Sequence, residues 1–196
     1  MTIRRLLTQI RFWMFLGKGD KRTEYARKKK LFAKIGKNSQ IPMTVPLYPK
    51  LVRIHDNVII HHSVKLVTHD TLNSFLTKIS DSYHFKNAES PCPIEIFDNV
   101  YIGMNSIICG NIRIGPNAVI NAGSLVTNNV PPNSVVEGVP AKVVGKLDTY
   151  AKLRLMKDRA ASYEFRRSGK EMIDQKTIEM VWEKFDRKKS QEKAET

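Results

Sequence analysis

The chain has 196 residues, 41% hydrophobic and 27% charged, which suits one globular domain with terminal appendages. Its formal charge of +14 is uneven: residues 1–34 carry 11 Lys/Arg against 2 Asp/Glu, residues 35–147 carry 9 against 7, and residues 148–196 carry 13 against 10. No apolar run reaches the length of a transmembrane helix, Phe12–Leu16 is too short for a signal peptide, and Cys92 and Cys109 form neither a disulfide framework nor a zinc spacing, so two free thiols in a reducing, cytoplasmic setting are expected.

Ile3, Leu6, Leu7, Ile10, Trp13 and Met14 recur at helical spacing with Arg4, Arg5, Thr8, Gln9 and Arg11 between them, which predicts an amphipathic helix ended by Gly17 and Gly19. A second basic helix is predicted over about 20–34. Residues 1–34 thus form a basic helical arm with two roles open. It either covers the open end of the next domain, or residues 1–19 rest on an anionic membrane with aromatic side chains inserted. No nucleic-acid-binding motif accompanies the charge.

From Ile35 the chain repeats in sixes: IGKNSQ, IPMTVP, LYPKLV, then, after one skipped residue (Arg53), IHDNVI, IHHSVK and LVTHDT. The register returns at Ile96 with IFDNVY, IGMNSI, ICGNIR, IGPNAV, INAGSL and VTNNVP. Each block opens with Ile, Leu or Val, and its fifth place is usually small or β-branched. Asn recurs at the fourth place, at Asn38, Asn57, Asn99, Asn105, Asn111, Asn117 and Asn129. A period of six drifts around a helix of 3.6 residues per turn and builds no face. A triangular coil accounts for it, each block being a short strand and a corner, with three blocks to a turn. The first residue of a block then points inward, and Asn or Gly (Gly123 among them) takes the left-handed corner. Residues 35–147 are therefore read as an all-β parallel β-helix with coils 35–52, 54–71, 96–113 and 114–131, broken at Pro131-Pro132.

The repeat is interrupted by a long excursion, residues 71–93, a length that inside a compact repeat points to function. His69 stands where the excursion leaves the coil and carries the side chain best suited to proton transfer near neutral pH. Its alternative is a corner histidine with only a packing role. Asp70 either orients that imidazole or turns the loop. His62, at a corner beside His61, and His84, in the excursion, are either solvated or in contact with substrate. After Gly145 the pattern turns helical: 148–167 and about 174–188, with Ile178, Val181, Trp182 and Phe185 as one apolar stripe and 189–196 frayed, make a C-terminal helical extension over 148–196.

Residues 54–145 resemble the hexapeptide-repeat acetyltransferases, nearest the galactoside and maltose O-acetyltransferases and the related capsule and lipopolysaccharide enzymes. The resemblance is carried by Asp56-Asn57-Val58, Thr68-His69-Asp70, Asp98 to Gly103, Ile114 to Ile120, Ala122 to Thr127, Val130 to Ser134 and Gly138-Val139-Pro140-Ala141-Lys142. It implies a left-handed coil, a homotrimer with active sites between subunits, acetyl-CoA as donor with no metal, and a sugar or glycan acceptor. It also implies His69 as the general base for direct attack of an acceptor hydroxyl on the thioester. For the donor it implies contacts at Tyr101, Met104, Ala122, Gly123, Thr127, Asn128, Lys142 and Lys146. The chain departs from the family with Gly110-Asn111 where Pro-Gly is common and Asn128 where a lysine is common, a loss that either weakens affinity for CoA or is offset by Lys142 and Lys146. Three other readings compete. An amine acceptor on an amino sugar would make it an N-acetyltransferase. A zinc site of the carbonic anhydrase type lacks histidines after His84. A non-enzymatic scaffold would bind membrane or nucleic acid through the basic arm.

Overall fold

The computed structural model describes residues 3–14, 19–80, 82–159 and 175–194, and the chain divides into two compact units, Met1–Tyr150 and Ala151–Thr196. The first unit opens with helices α1 (Ile3–Met14) and α2 (Gly19–Lys28). Short strands follow: β1 (Lys34–Ile35), β2 (Val52–Ile54), β3 (Ile59–Ile60), β4 (Lys65–Leu66) and β5 (His69–Asp70). The excursion carries α3 (Leu72–Ile79) and returns through β6 (Ser90–Pro91). Then come β7 (Ile94–Ile96), β8 (Val100–Ile102), β9 (Ile107–Ile108), β10 (Ile112–Ile114), β11 (Ala118–Ile120), β12 (Leu125–Val126), β13 (Ser134–Gly138) and β14 (Ala141–Lys146). Two helices complete the described chain, α4 (Leu147–Arg159) and α5 (Gln175–Ala194).

Three sheets take all of these strands but β5 and β6 in rotation. The first is β1-β2-β7-β10, the second β14-β13-β11-β8-β3 and the third β12-β9-β4, parallel throughout except at the β13–β14 hairpin. The register carries the repeat: Ile94 pairs with Ile112, Val100 with Ala118 and Ile107 with Leu125, each a step of 18 residues. From Lys34 to Arg53 the step is 19, the one-residue skip read from the sequence. Across the excursion it is 42, as in Val52 with Ile94.

The inward places hold as expected. Ile54, Ile60, Ile96, Ile102, Ile108, Ile114 and Ile120 are each at most 1% exposed and stack from coil to coil. Burying each such side chain contributes about 1.5–3 kcal/mol, and β-branched residues suit strands this short because their χ1 is already restricted. The corners are built by asparagine. Asn38, Asn57, Asn99, Asn105, Asn111 and Asn117 all have φ between 50° and 61°. Four of them form a ladder: Asn38 Nδ2 donates to Asn57 Oδ1 at 3.3 Å, Asn57 Nδ2 to Asn99 Oδ1 at 3.1 Å, and Asn99 Nδ2 to Asn117 Oδ1 at 2.9 Å.

Asn129 breaks the expected series. It is not left-handed; its Oδ1 accepts the Arg113 N–H at 2.8 Å, and the next left-handed asparagine is Asn133. The last corner is accordingly short, with Val130 bridged to Ile114 only 16 residues back. The second helix also ends earlier than predicted, at Lys28. Lys30 takes φ 49°, with Leu31 N–H donating to Ala26 O and Lys30 N–H to Arg27 O, both at 3.0 Å, the Schellman pattern that stops a helix.

The arm covers the first coil, and α1 does so with the face opposite its apolar stripe. Phe12 is fully buried in the same core as Ala26, Phe32 and Ile41, and Gln9 Nε2 donates to Met43 O at 3.0 Å. The buried Arg22 donates from Nη2 to Ile41 O at 3.0 Å, and Thr23 Oγ1 accepts the Ile41 N–H at 3.3 Å. Leu6, Leu7, Ile10, Trp13 and Met14, the stripe that the covering role alone would bury, are exposed. Gly17 lies outside the described residues, while Gly19 opens α2 rather than ending α1.

In the second unit α5 continues to Ala194, beyond the frayed end expected from 189, because Gln175–Ala194 contains neither Gly nor Pro and is rich in Lys, Glu and Gln. Ile178 and Val181 are half-buried, and the exposed rings of Trp182 and Phe185 meet edge to face at 5.8 Å. The predicted helix over 148–167 is described only to Arg159.

Candidate active site

Two of the three corner columns gather the residues singled out from the sequence. Between the second and third sheets stand His61-His62-Ser63, Gly103-Met104-Asn105 and Asn121-Ala122-Gly123, one above another. His61 N–H donates to Ile102 O at 3.1 Å, Gly103 N–H to Ile120 O at 2.8 Å, and Gly123 N–H to Met104 O at 2.7 Å. Met104, Ala122 and Gly123 are all exposed, and Gly123 has φ 75° with no atom within 4 Å of where a Cβ would stand. His62 is exposed, its ring 4.3 Å from that of His61. Burial, and then the charge of His62, push the His61 imidazole below its ordinary pKa.

Between the third and first sheets stand Val67-Thr68-His69, Cys109-Gly110-Asn111 and Thr127-Asn128-Asn129. Val67 N–H donates to Ile108 O and Cys109 N–H to Val126 O, both at 2.9 Å. Gly110 is required here, because a Cβ would run into Cys92 and lie 2.9 Å from Val67 O. Thr127 and Asn128 are exposed, with Asn128 Nδ2 donating to Thr127 Oγ1 at 3.1 Å.

The excursion departs from this corner and is clamped at its root. β5 and β6 pair antiparallel, His69 opposite Pro91 and Asp70 opposite Ser90, and Cys92 N–H donates to Thr68 O at 2.9 Å. His69 is half-buried, and its Nδ1 is buried with no hydrogen-bond partner among the described residues. The edge of the ring meets Tyr48, with centroids 5.8 Å apart and planes at 83°. Tyr48 is itself held at two points. Its N–H donates to the buried Thr68 Oγ1 at 3.0 Å, and its hydroxyl donates to Glu89 Oε2 at 2.6 Å, tying the excursion to the coil. His69 borders an open groove of about 500 Å³ that runs along Thr44 to Leu47, Lys65 and Val67. Asp70 Oδ1 accepts the Leu72 N–H at 2.8 Å at the start of α3, the loop-turning role.

Other expected residues lie apart. Tyr101 is exposed on the outer face of the second sheet, between Ile59 and Val119. Lys142 and Lys146 are exposed on β14. His84 is exposed in the excursion, with no hydrogen bond or ring contact to His69 among the described residues. The described residues contain no group of three His, Cys, Asp or Glu that could hold a metal ion. A single copy therefore joins His69 with Thr127 and Asn128 on one corner, and His62 with Met104, Ala122 and Gly123 on another. Tyr48 and Glu89, which meet beside His69, were not singled out from the sequence, since neither sits at a repeat position that marks it.

Comparison with known proteins agrees with this architecture. Residues 93–128 match the bacterial transferase hexapeptide (six repeats) family. Over 108 residues the chain is 40% identical to the galactoside O-acetyltransferase of Escherichia coli (strain K12), an alignment covering 55% of this chain and 50% of that protein. The chain thus spans about half the length of the curated relatives it matches. A maltose O-acetyltransferase from Clostridium difficile 630 superposes with a TM-score of 0.51 at 27% identity, covering 73% of this chain and 86% of the other. A hexapeptide-repeat-containing acetyltransferase from Vibrio cholerae shares the fold, with a TM-score of 0.53 at 23% identity over 74% and 89% of the two chains. Register, corner chemistry and these likenesses agree: the chain is similar to the hexapeptide-repeat acetyltransferases, and residues 93–128 carry the family's repeat.

Proposed function

We propose that the protein is an acetyl-CoA-dependent O-acetyltransferase acting on a sugar hydroxyl, built on a left-handed parallel β-helix, with His69 as general base. The observation that carries this is the setting of His69: a half-buried imidazole edged by Tyr48, at the mouth of a groove and at the root of the excursion. The sugar acceptor is supported by the likeness to the galactoside and maltose O-acetyltransferases. Assembly of surface polysaccharide in the cytoplasm is the setting this reading favours, and the two free cysteines fit it.

In this mechanism His69 takes the proton of the acceptor hydroxyl while its oxygen attacks the thioester carbonyl. The tetrahedral oxyanion is held by a backbone N–H. When it collapses, the C–S bond breaks and the imidazolium returns its proton to the departing thiolate, leaving an acetyl ester and free CoA. No acyl-enzyme forms. The exposed Ala122–Gly123 backbone, Tyr101, Met104, Thr127 and Asn128 would line the donor's pantetheine arm, and Lys142 and Lys146 would meet its phosphates. His62 and His84 would touch the acceptor.

A homotrimer belongs to the same reading. His69 and the Met104–Gly123 column stand on different corners of one copy, so a neighbouring copy would complete each site. The reading is tested by following free thiol with acetyl-CoA and a panel of sugars, glycosides and nucleotide sugars. Acceptor-dependent release with an O-acetyl product supports it, and an N-acetyl product would move the acceptor to an amine. No release and no CoA binding would leave the coil a scaffold.

A further inference from the structure

We propose that α1 is a docking surface for an anionic lipid bilayer, on which it lies in the plane of the headgroups. The helix is turned the opposite way from one that caps a core. It is anchored through Phe12, which is fully buried and meets the Tyr25 ring edge to face at 6.2 Å. Gln9 secures the same side, its Nε2 donating to Met43 O at 3.0 Å and its Oε1 accepting the Val45 N–H at 3.2 Å. At 100° per residue, Trp13, Leu6, Ile10, Met14 and Leu7 fall on one contiguous arc of about 120°. All five are between 42% and 66% exposed, and the buried Phe12 lies on the far side of the wheel. The structure therefore spends one aromatic ring on the core and presents the helix's main apolar stripe outward.

The charge around that stripe selects its occupant. Residues 1–19 contain Arg4, Arg5, Arg11 and Lys18 and no Asp or Glu. α2 exposes Lys21, Arg27 and Lys28 against Asp20 and Glu24, so its exposed charge is also net basic. An apolar arc on a helix whose charged residues are all arginines is the chemistry of an interfacial helix, in which acyl chains receive the stripe and anionic headgroups meet the basic charge. A second copy of the same face would bring like charge against like, since residues 1–34 carry 11 Lys/Arg against 2 Asp/Glu in every copy. With 12 residues α1 is too short to cross a bilayer, and no described helix is long and apolar enough to do so. The helix would lie on the surface. This inference is independent of the proposed reaction.

The test uses the full chain with Trp182→Phe, which leaves Trp13 as the only indole of the two in the sequence. Mixed with phosphatidylglycerol/phosphatidylethanolamine vesicles, the protein should co-sediment and Trp13 emission should shift to the blue. Phosphatidylcholine vesicles should bind it far less, and added salt should weaken the anionic case. Because Leu7 and Met14 are exposed, Leu7→Glu with Met14→Glu should keep the wild-type melting profile while lowering vesicle partition at least about tenfold. Trp13 emission indifferent to anionic vesicles would overturn the proposal. So would a folded double variant that partitions like the parent. If that variant alters the mass in sedimentation equilibrium and leaves partition unchanged, the face is a contact between copies and the lipid assignment is wrong.

Discussion

Gly103→Ala tests the stacking of the coils directly. Gly103 is buried at a corner with the Asn121–Ala122 corner segment of the next coil against it. A Cβ there would lie 2.6 Å from Ala122 N, 2.9 Å from Ala122 Cα and 3.0 Å from the carbonyl carbon of Asn121. All three neighbours are backbone, so no side chain can swing aside, and the two coils must separate. Gly103 does not use a left-handed φ, so this clash is the whole effect. Overpacking of this kind costs about 1–3 kcal/mol. For a chain of this size that lowers Tm by about 2–12 °C, read by calorimetry and by the urea midpoint. Gly145→Ala is the control, with nothing within 4 Å of the new Cβ and no left-handed φ, and it should change stability by less than about 0.5 kcal/mol. If Gly103→Ala melts with Gly145→Ala, the coils are not in the contact described.

Asn99→Ala removes two rungs of the corner ladder and leaves a Cβ residue at φ 59°, so it should cost about 2 kcal/mol or more, with Asn99→Gly losing less in a chemical melt. Glu95 predicts an acid dependence. Burial pushes its carboxyl up, but hydrogen bonds from His55 and Arg113 and the charge of Arg53 together hold it below its ordinary 4.5. Its folded pKa is depressed, so its contribution is present above 4.5 and is lost as pH falls through the lower folded value. Because Arg53 and Arg113 are largely exposed, Glu95→Gln should cost under about 1 kcal/mol at pH 7 and flatten the stability profile below pH 4.5. Tyr48→Ala should lower kcat/KM by roughly twofold to tenfold through loss of the aromatic contact with His69, an effect that Tyr48→Phe, which keeps the ring and loses the hydroxyl bonded to Glu89, should largely spare.

The coil was legible because its determinants are local. An inward Ile at a block's first place and an Asn at its fourth each perform a job that depends on only a few neighbours, and the skipped residue at Arg53 appears as the 19-residue register between β1 and β2. What escaped was set by tertiary competition. Asn129 shares the repeat position of the other corner asparagines, but its side chain is taken by the Arg113 N–H and the corner closes two residues early. The helix inside the excursion could have been found, since Leu72, Phe75, Leu76 and Ile79 stand at helical spacing. The orientation of α1 could not, because Phe12 and the stripe it opposes are equally apolar as letters. His69 was singled out from its place before the excursion, and that place is where β5 begins. The Tyr48–Glu89 contact that braces it joins residues 41 apart and leaves no pattern in the sequence.

The central claim is that His69 moves the proton in acetyl transfer. The most direct measurement is turnover of acetyl-CoA with a saturating sugar acceptor, wild type against His69→Ala, with donor binding to both measured by calorimetry. The account predicts that kcat falls by about 10²–10⁴ while acetyl-CoA binds both proteins alike. Turnover by His69→Ala at the wild-type rate would contradict it and place the base elsewhere.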